Sequence, residues 1–343
     1  MIMIVKDYLY CLQTPTSNQP SYHKVISDSS ITSNNDATPI NNLYHVVKEF
    51  SFEDSIHGKS INTLIDLNDK TFLVTTGERG KVLIDKETFE VLDYKSDFGF
   101  YVTAKINSKL YCVVNTETEG RLFHTDFELK ELVLVTMPEN ERHHGWVSKI
   151  VQLSSNRFAT ASGDSTVKIW EINNDNDSSS NQVKLVKTLK KHTKDVITIL
   201  KIATKDILIS CSYDNKLIIL DLRTFSVMKE LDGIHPCFIN GIKKLPNDRI
   251  IISEDKQSTV VNFITGVVLK TIPTEVNACC YEIIRDILLI ECFDGSYLEM
   301  NMDNYHLKVM NAKEPNYITS MMNLSNIILV VGLHNGIVKI YKF

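Results

Sequence analysis

The chain has no run of about 18 apolar residues, so no segment is long enough to cross a membrane as a helix. It has no basic excess: 37 Lys and Arg against 42 Asp and Glu leave a net charge of −5. That balance gives no general attraction to nucleic acid or to an anionic lipid surface. It has no C-x-x-C pair. Its seven cysteines stand at 11, 112, 211, 237, 279, 280 and 292. An odd number with two neighbours argues against a disulfide framework or a zinc site, and for buried thiols in a reducing compartment. The N-terminus, MIMIVKDYLYCL, lacks a basic leader, is interrupted by Lys6 and Asp7, and is followed by no small-residue cleavage site. It does not read as a signal peptide, and a cytoplasmic or nuclear location is expected. No helical period persists long enough for a substantial helix. No spacing of carboxylates, histidines or cysteines builds a catalytic or metal constellation, so neither a cofactor nor a metal is expected.

What is present is ordinary soluble composition, 43% apolar and 23% charged, laid out with a strong internal repeat. Residues 156–172 read NRFATASGDSTVKIWEI, two strands around a Gly-Asp turn, and the pattern returns along the chain. Aligned on a closing residue, the seven copies end at Asp85, Thr125, Trp170, Leu220, Phe263, Met300 and Tyr341. A period of roughly 40–45 residues is that of a four-stranded propeller blade. Short β-branched strands with turn signals every few residues mean antiparallel all-β structure. The expected fold is a seven-bladed β-propeller of four-stranded antiparallel blades over 43–343. The last blade stops after its third strand, and residues 43–52 have no blade of their own. Pairing that N-terminal strand with the C-terminal blade would close the ring and remove an exposed edge. Residues 1–12 read as a short strand or tail. The tract 14–42 is mostly Ser, Thr, Asn, Pro, Gln and Asp and is expected to be disordered. A polar insert at 173–182 belongs in a loop between a third and a fourth strand.

These residues resemble the WD40-repeat family. Trp170 stands at the Trp of the family's WD dipeptide, with Glu171 in place of Asp. The family's His falls four residues before the first apolar position of an inner strand. His57, His143, His192 and His235 stand in that place before Ile61, Val147, Val196 and Ile239. The turn Asp matches Asp164, Asp214 and Asp294, with Asn335 close to it. Blades three and four match best and blade two least. His143, Asp164 and Thr160 or Ser162 also supply the residue types of a hydrolase triad. The resemblance implies instead that His, strand hydroxyl, turn Asp and Trp form a hydrogen-bonded chain holding a blade together.

For function the resemblance implies a non-enzymatic scaffold or adaptor that binds a protein or peptide within a larger complex. The residue before each inner strand is expected at the channel mouth: Ser60, Tyr101, Trp146, Asp195, Phe238, Glu275 and Tyr317. The residue before the turn Asp adds Tyr213, Phe293 and His334. Converging aromatics suit peptide recognition, and Asp195 and Glu275 beside them favour a Lys or Arg side chain. A second candidate is the cluster Lys184, Lys187, Lys190, Lys191 and Lys194, near Arg142 and His143. It suits phosphate, as in an accessory subunit of an RNA-modifying or ribosome-related complex. A third reading is a propeller enzyme with its active site in the channel. A membrane role has no support, because the chain has no paired arginines of the kind lipid-binding propellers carry.

Overall fold

The computed structural model describes residues 45–51, 60–76, 80–95, 102–115, 120–128, 133–172, 182–234, 239, 241–254, 256–274, 278–313, 316, 318–325 and 327–343. The expected N-terminal strand 1–12, the tract 14–42 and nearly all of the insert lie outside them. Strand β1, His45–Ser51, precedes the blades. Blade one is β2 Ile61–Asp66, β3 Thr71–Thr76, β4 Lys81–Asp85 and β5 Val91–Lys95. Blade two is β6 Val102–Ile106, β7 Lys109–Asn115, β8 Gly120–Thr125 and the two-residue β9 Val133–Leu134. Blade three is β10 Val147–Gln152, β11 Arg157–Ser162, β12 Val167–Ile172 and β13 Val183–Leu189. The insert therefore falls between its third and fourth strands. Blade four is β14 Val196–Ile202, β15 Ile207–Ser212, β16 Lys216–Asp221 and β17 Ser226–Asp232. Blade five is β18 Gly241–Leu245, β19 Arg249–Glu254, β20 Gln257–Asn262 and β21 Val267–Pro273. Blade six is β22 Ala278–Ile284, β23 Ile287–Cys292, β24 Ser296–Asn301 and β25 Leu307–Lys313. Blade seven is β26 Ile318–Ser325, β27 Ile328–Leu333 and β28 Ile337–Lys342, completed by β1.

Every blade is an antiparallel meander in chain order, except that β1 joins the far edge of β28. That pairing sets His45 against Lys342 and Ser51 against Ile337. First strands of successive blades contact one another all the way round, and β2 meets β26, so the ring is closed. The core is not one mass. Seven apolar clusters each lie between two adjacent blades, as a sheet with two apolar faces requires. Phe50 of β1 is buried in the slab between blades seven and one, beside Phe72 and Val338.

Strand register corrects two of the closing positions. Phe158 pairs with Trp170, and the equivalent pairs are Phe72 with Ile84 and Ile250 with Val261. The closing residues of blades one and five are thus Ile84 and Val261, not Asp85 and Phe263. The residue after the closing position instead caps the next turn. Asp85 accepts from the amides of Glu87 and Thr88, Asp221 from Arg223 and Thr224, and Asn262 from Ile264 and Thr265. A short polar side chain that satisfies its own turn marks the strand end.

Candidate functional site

Blade three carries a buried polar chain. The Nδ1–H of His143 donates to Asp164 Oδ2 at 2.8 Å, and the Thr160 hydroxyl donates to His143 Nε2 at 2.7 Å. The indole N–H of Trp170 then donates to Thr160 Oγ1 at 2.9 Å. A carboxylate only accepts, which places the imidazole proton on Nδ1. Blade four repeats the chain one member shorter. His192 Nδ1 meets Asp214 at 3.0 Å and Ser210 Oγ meets Nε2 at 2.9 Å, with buried Leu220 in the place of Trp. Burial lowers the pKa of both histidines, outweighing the upward pull of each Asp. Burial alone would raise both carboxyls. Hydrogen bonds and charge from His143 hold Asp164 well below the carboxylate range, and the Thr193 amide and His192 do the same for Asp214. Thr160 has the triad's neighbours but not a nucleophile's surroundings. Its hydroxyl is buried between the imidazole and the indole, with no room for a substrate carbonyl. Ser162 accepts the Asp164 amide instead.

Asp294 caps its own turn through the Ser296 amide at 3.1 Å and hydroxyl at 2.6 Å. His57, His235, Tyr101, Phe238, Glu275 and Tyr317 lie outside the described residues. In blade six a buried carboxylate ties two blades together: Glu291 Oε1 accepts the Ile318 amide at the start of β26.

Three of the expected residues come together where the starts of blades three and four adjoin. Trp146 immediately precedes β10 and Asp195 immediately precedes β14. The carbonyl of each accepts an amide from its own blade's second turn, Gly163 for Trp146 and Tyr213 for Asp195. The Trp146 side chain then donates a hydrogen bond to the Asp195 carboxylate. Burial raises the Asp195 pKa, while its own backbone amide and Trp146 pull it back. Burial also raises the pKa of Tyr213, helped by the Asp195 charge. The result is a partly desolvated carboxylate close to two aromatic side chains, and Trp146 remains 38% exposed.

Gly163 has a role the sequence did not show. A Cβ built on it would lie 2.3 Å from Trp146 Nε1, so the indole rests on the glycine. Blades four, six and seven carry Tyr213, Phe293 and His334 at that turn position. Blade three has Gly there, and its aromatic ring comes from the residue before the inner strand instead. The glycine just before Asp164, where other blades hold a ring, is the signal that would have found it. Phe293 is half-buried and His334 exposed.

The lysine candidates do not converge in the same way. Lys184 and Lys187 lie on the outer strand β13, and Lys190, Lys191 and Lys194 follow it, all exposed. Lys191 approaches Glu230 at 3.8 Å. Arg142 turns its Nε to the Met137 carbonyl, and His143 is buried in its blade. Among the described residues no three His, Cys, Asp or Glu side chains assemble to hold a metal ion, and no helix is long and apolar enough to cross a membrane.

The comparisons with known proteins follow the geometry. The family model described as WD domain, G-beta repeat matches residues 137–171 and 183–221, which hold all of blade three and the first three strands of blade four. No curated protein matches the sequence significantly. Among solved structures, the crystal structure of the WD40 beta propeller domain of Doa1 superposes with a TM-score of 0.69. The match covers 87% of this chain and 96% of that one at 16% identity. At that identity the likeness is one of fold.

Proposed function

We propose that this chain, a WD40-repeat propeller, is a non-catalytic interaction scaffold that seats a peptide segment with a Lys or Arg side chain on its rim. One observation carries the reading: Asp195, partly desolvated, accepts from the Trp146 indole and acts on Tyr213 beside the starts of β10 and β14. A carboxylate in that setting is short of compensating charge. An incoming ammonium or guanidinium supplies that charge and lies against aromatic faces at the same time. Trp146 offers a large, rigid contact surface at low entropic cost, as the anchors of peptide interfaces do. Trp146 and Asp195 are each tied to their own blade's turn by a backbone hydrogen bond, which holds both in place.

The test is a library of peptides varied at one position among Lys, Arg, Ala and Glu. The protein is expected to enrich Lys and Arg, and Asp195→Asn to remove that preference. Trp146→Ala should weaken the best peptide by about 2 kcal/mol, roughly thirtyfold. Gly163→Ala should do the same by displacing the indole without touching the peptide. Selection that is identical in all three variants would refute this rim.

A further inference from the structure

The outermost strand of each blade keeps one edge unpaired within its own sheet. Such an edge is a template for another chain, and proteins blunt it with charge. β13 carries Lys184 and Lys187, and β17 carries Lys229, Glu230 and Asp232. β21 is different. Its sequence, VVLKTIP, opens with three apolar residues and holds one charge, Lys270, and six of its seven residues are exposed. Val267 is 54% exposed, Val268 and Leu269 42%, and Ile264 in the turn before the strand 40%. No other outer strand has so long an apolar stretch in contact with solvent among the described residues.

Blade four extends this surface. Lys229 Nζ donates to the Ile264 and Thr265 carbonyls at 3.1 and 2.7 Å, and a Cβ on Gly266 would lie 2.7 Å from Leu231 Cδ2. The outer strand of blade four therefore lies against the turn that starts β21. Beside Lys229 stands Met228, 51% exposed. Register makes Met228 and Leu269 equivalents, each the extra residue of a bulge in its outer strand. Single exposed apolar residues need no explanation, but a run of them continued by a neighbouring blade marks a contact surface.

The charges left over along this surface are of one sign. Lys229 meets two neutral carbonyls and no carboxylate, and Lys270 has no ion-pair partner among the described residues. The acids of β17 are already turned to other lysines, Glu230 to Lys191 at 3.8 Å and Asp232 to Lys216 at 3.9 Å. In a protein of net charge −5, this apolar stretch is thus bordered by two uncompensated ammonium groups.

We infer that the free edge of β21 takes up a short extended segment of a partner protein in which apolar residues are interspersed with Asp or Glu. The segment becomes a fifth strand of blade five. Its backbone pairs with the open edge, its apolar side chains cover Val267, Val268 and Leu269, and its carboxylates answer Lys270 and Lys229. An extended segment suits the site because the unpaired groups are those of a strand. Its length is limited to about six residues, since Pro273 has no amide for the ladder and the Lys229-held turn closes the other end. This surface is separate from the rim at the starts of β10 and β14, where Asp195 favours the opposite charge.

The probe is a synthetic peptide of about nine residues alternating Val and Glu, compared with one alternating Val and Lys, at about 50 mM salt. Hydrogen exchange in the full chain reads the β21 amides directly, so binding at the Asp195 rim is seen separately. The Glu peptide is expected to slow exchange across 267–272 and to bind there about tenfold tighter than the Lys peptide. Lys270→Glu should remove that preference. Val268→Ser with Leu269→Ser should weaken the Glu peptide about tenfold. Leu92→Ser, at the equivalent bulge of blade one, should bind as the unaltered protein does. A thermal melt confirms that each variant is folded. No slowing in β21, equal slowing by both peptides, or an equal loss in Leu92→Ser overturns the inference. So does an edge already protected without peptide, if that protection is lost on dilution, as for a second copy. Loss of such protection on removal of residues 1–42, as for the chain's own N-terminus, overturns it equally.

Discussion

Thr160 links two rings in its blade's buried chain. Its hydroxyl gives its proton to His143 and takes the indole N–H of Trp170. Ser210 in blade four serves His192 alone, because Leu220 needs no partner. Removing either hydroxyl strands buried polar groups, and the cost follows how many are stranded. Thr160→Val should therefore cost about 2–4 kcal/mol and Ser210→Ala about 1–2 kcal/mol. Urea denaturation midpoints read the difference, and equal losses would contradict the asymmetry. The two histidines also make stability depend on pH. Folding lowers their pKa below the ordinary 6.5. Between the folded value and 6.5 the unfolded chain holds more protons, so stability rises with pH there and is lost on acidification. Moving from about pH 7.5 to about pH 5.5 should lower the denaturation midpoint. The double variant His143→Gln, His192→Gln should flatten that slope. Asp164 and Asp214 titrate below the usual 3.8 and leave this window untouched.

At the scale of strands and turns, most of the architecture could be read from residue types and spacing. Blades three and four announce themselves because His143, Asp164 and Trp170, then His192 and Asp214, repeat a network whose members must sit at fixed intervals to reach one another. Blade number and the partner of the first ordered strand followed from the period and the missing last strand. Register was less legible. Asp85 looked like a closing position, but Asp85, Asp221, Asn262 and Asn301 are turn caps placed one residue past it. Phe263 is buried just beyond its strand and so drew the alignment two residues too far. Trp146 and Asp195 occupy equivalent positions before the first strands of neighbouring blades, and Tyr213 stands at the turn before Asp214. The part of Gly163 left one trace in the sequence, a glycine where other blades hold a ring, and its meaning emerges only once an indole is seen lying on it.

For the molecule as a whole, everything depends on the seam between β1 and β28. Each apolar slab needs a blade on both sides, and six of the seven are made by blades continuous in the chain. The slab between blades seven and one is different. It joins the two ends of the described chain, with Phe50 packed against Phe72, Val330 and Val338. Without β1, β28 would also present an open row of backbone donors and acceptors, which invites pairing between molecules. Truncation tests this directly. Removing residues 1–42, which lie outside the described strands, should leave the melting temperature essentially in place. Removing 1–51 takes β1 as well, and should broaden the calorimetric transition and send the protein into aggregates on size exclusion. Phe50→Ala keeps the strand but empties its place in the slab, at an expected cost of about 3–5 kcal/mol. That variant separates packing from pairing: it should melt earlier while remaining monomeric, because the edge of β28 is still covered. If the 52–343 fragment melted like the full chain and stayed monomeric, the seam would contribute nothing, and ring closure would have to come from the other six slabs alone.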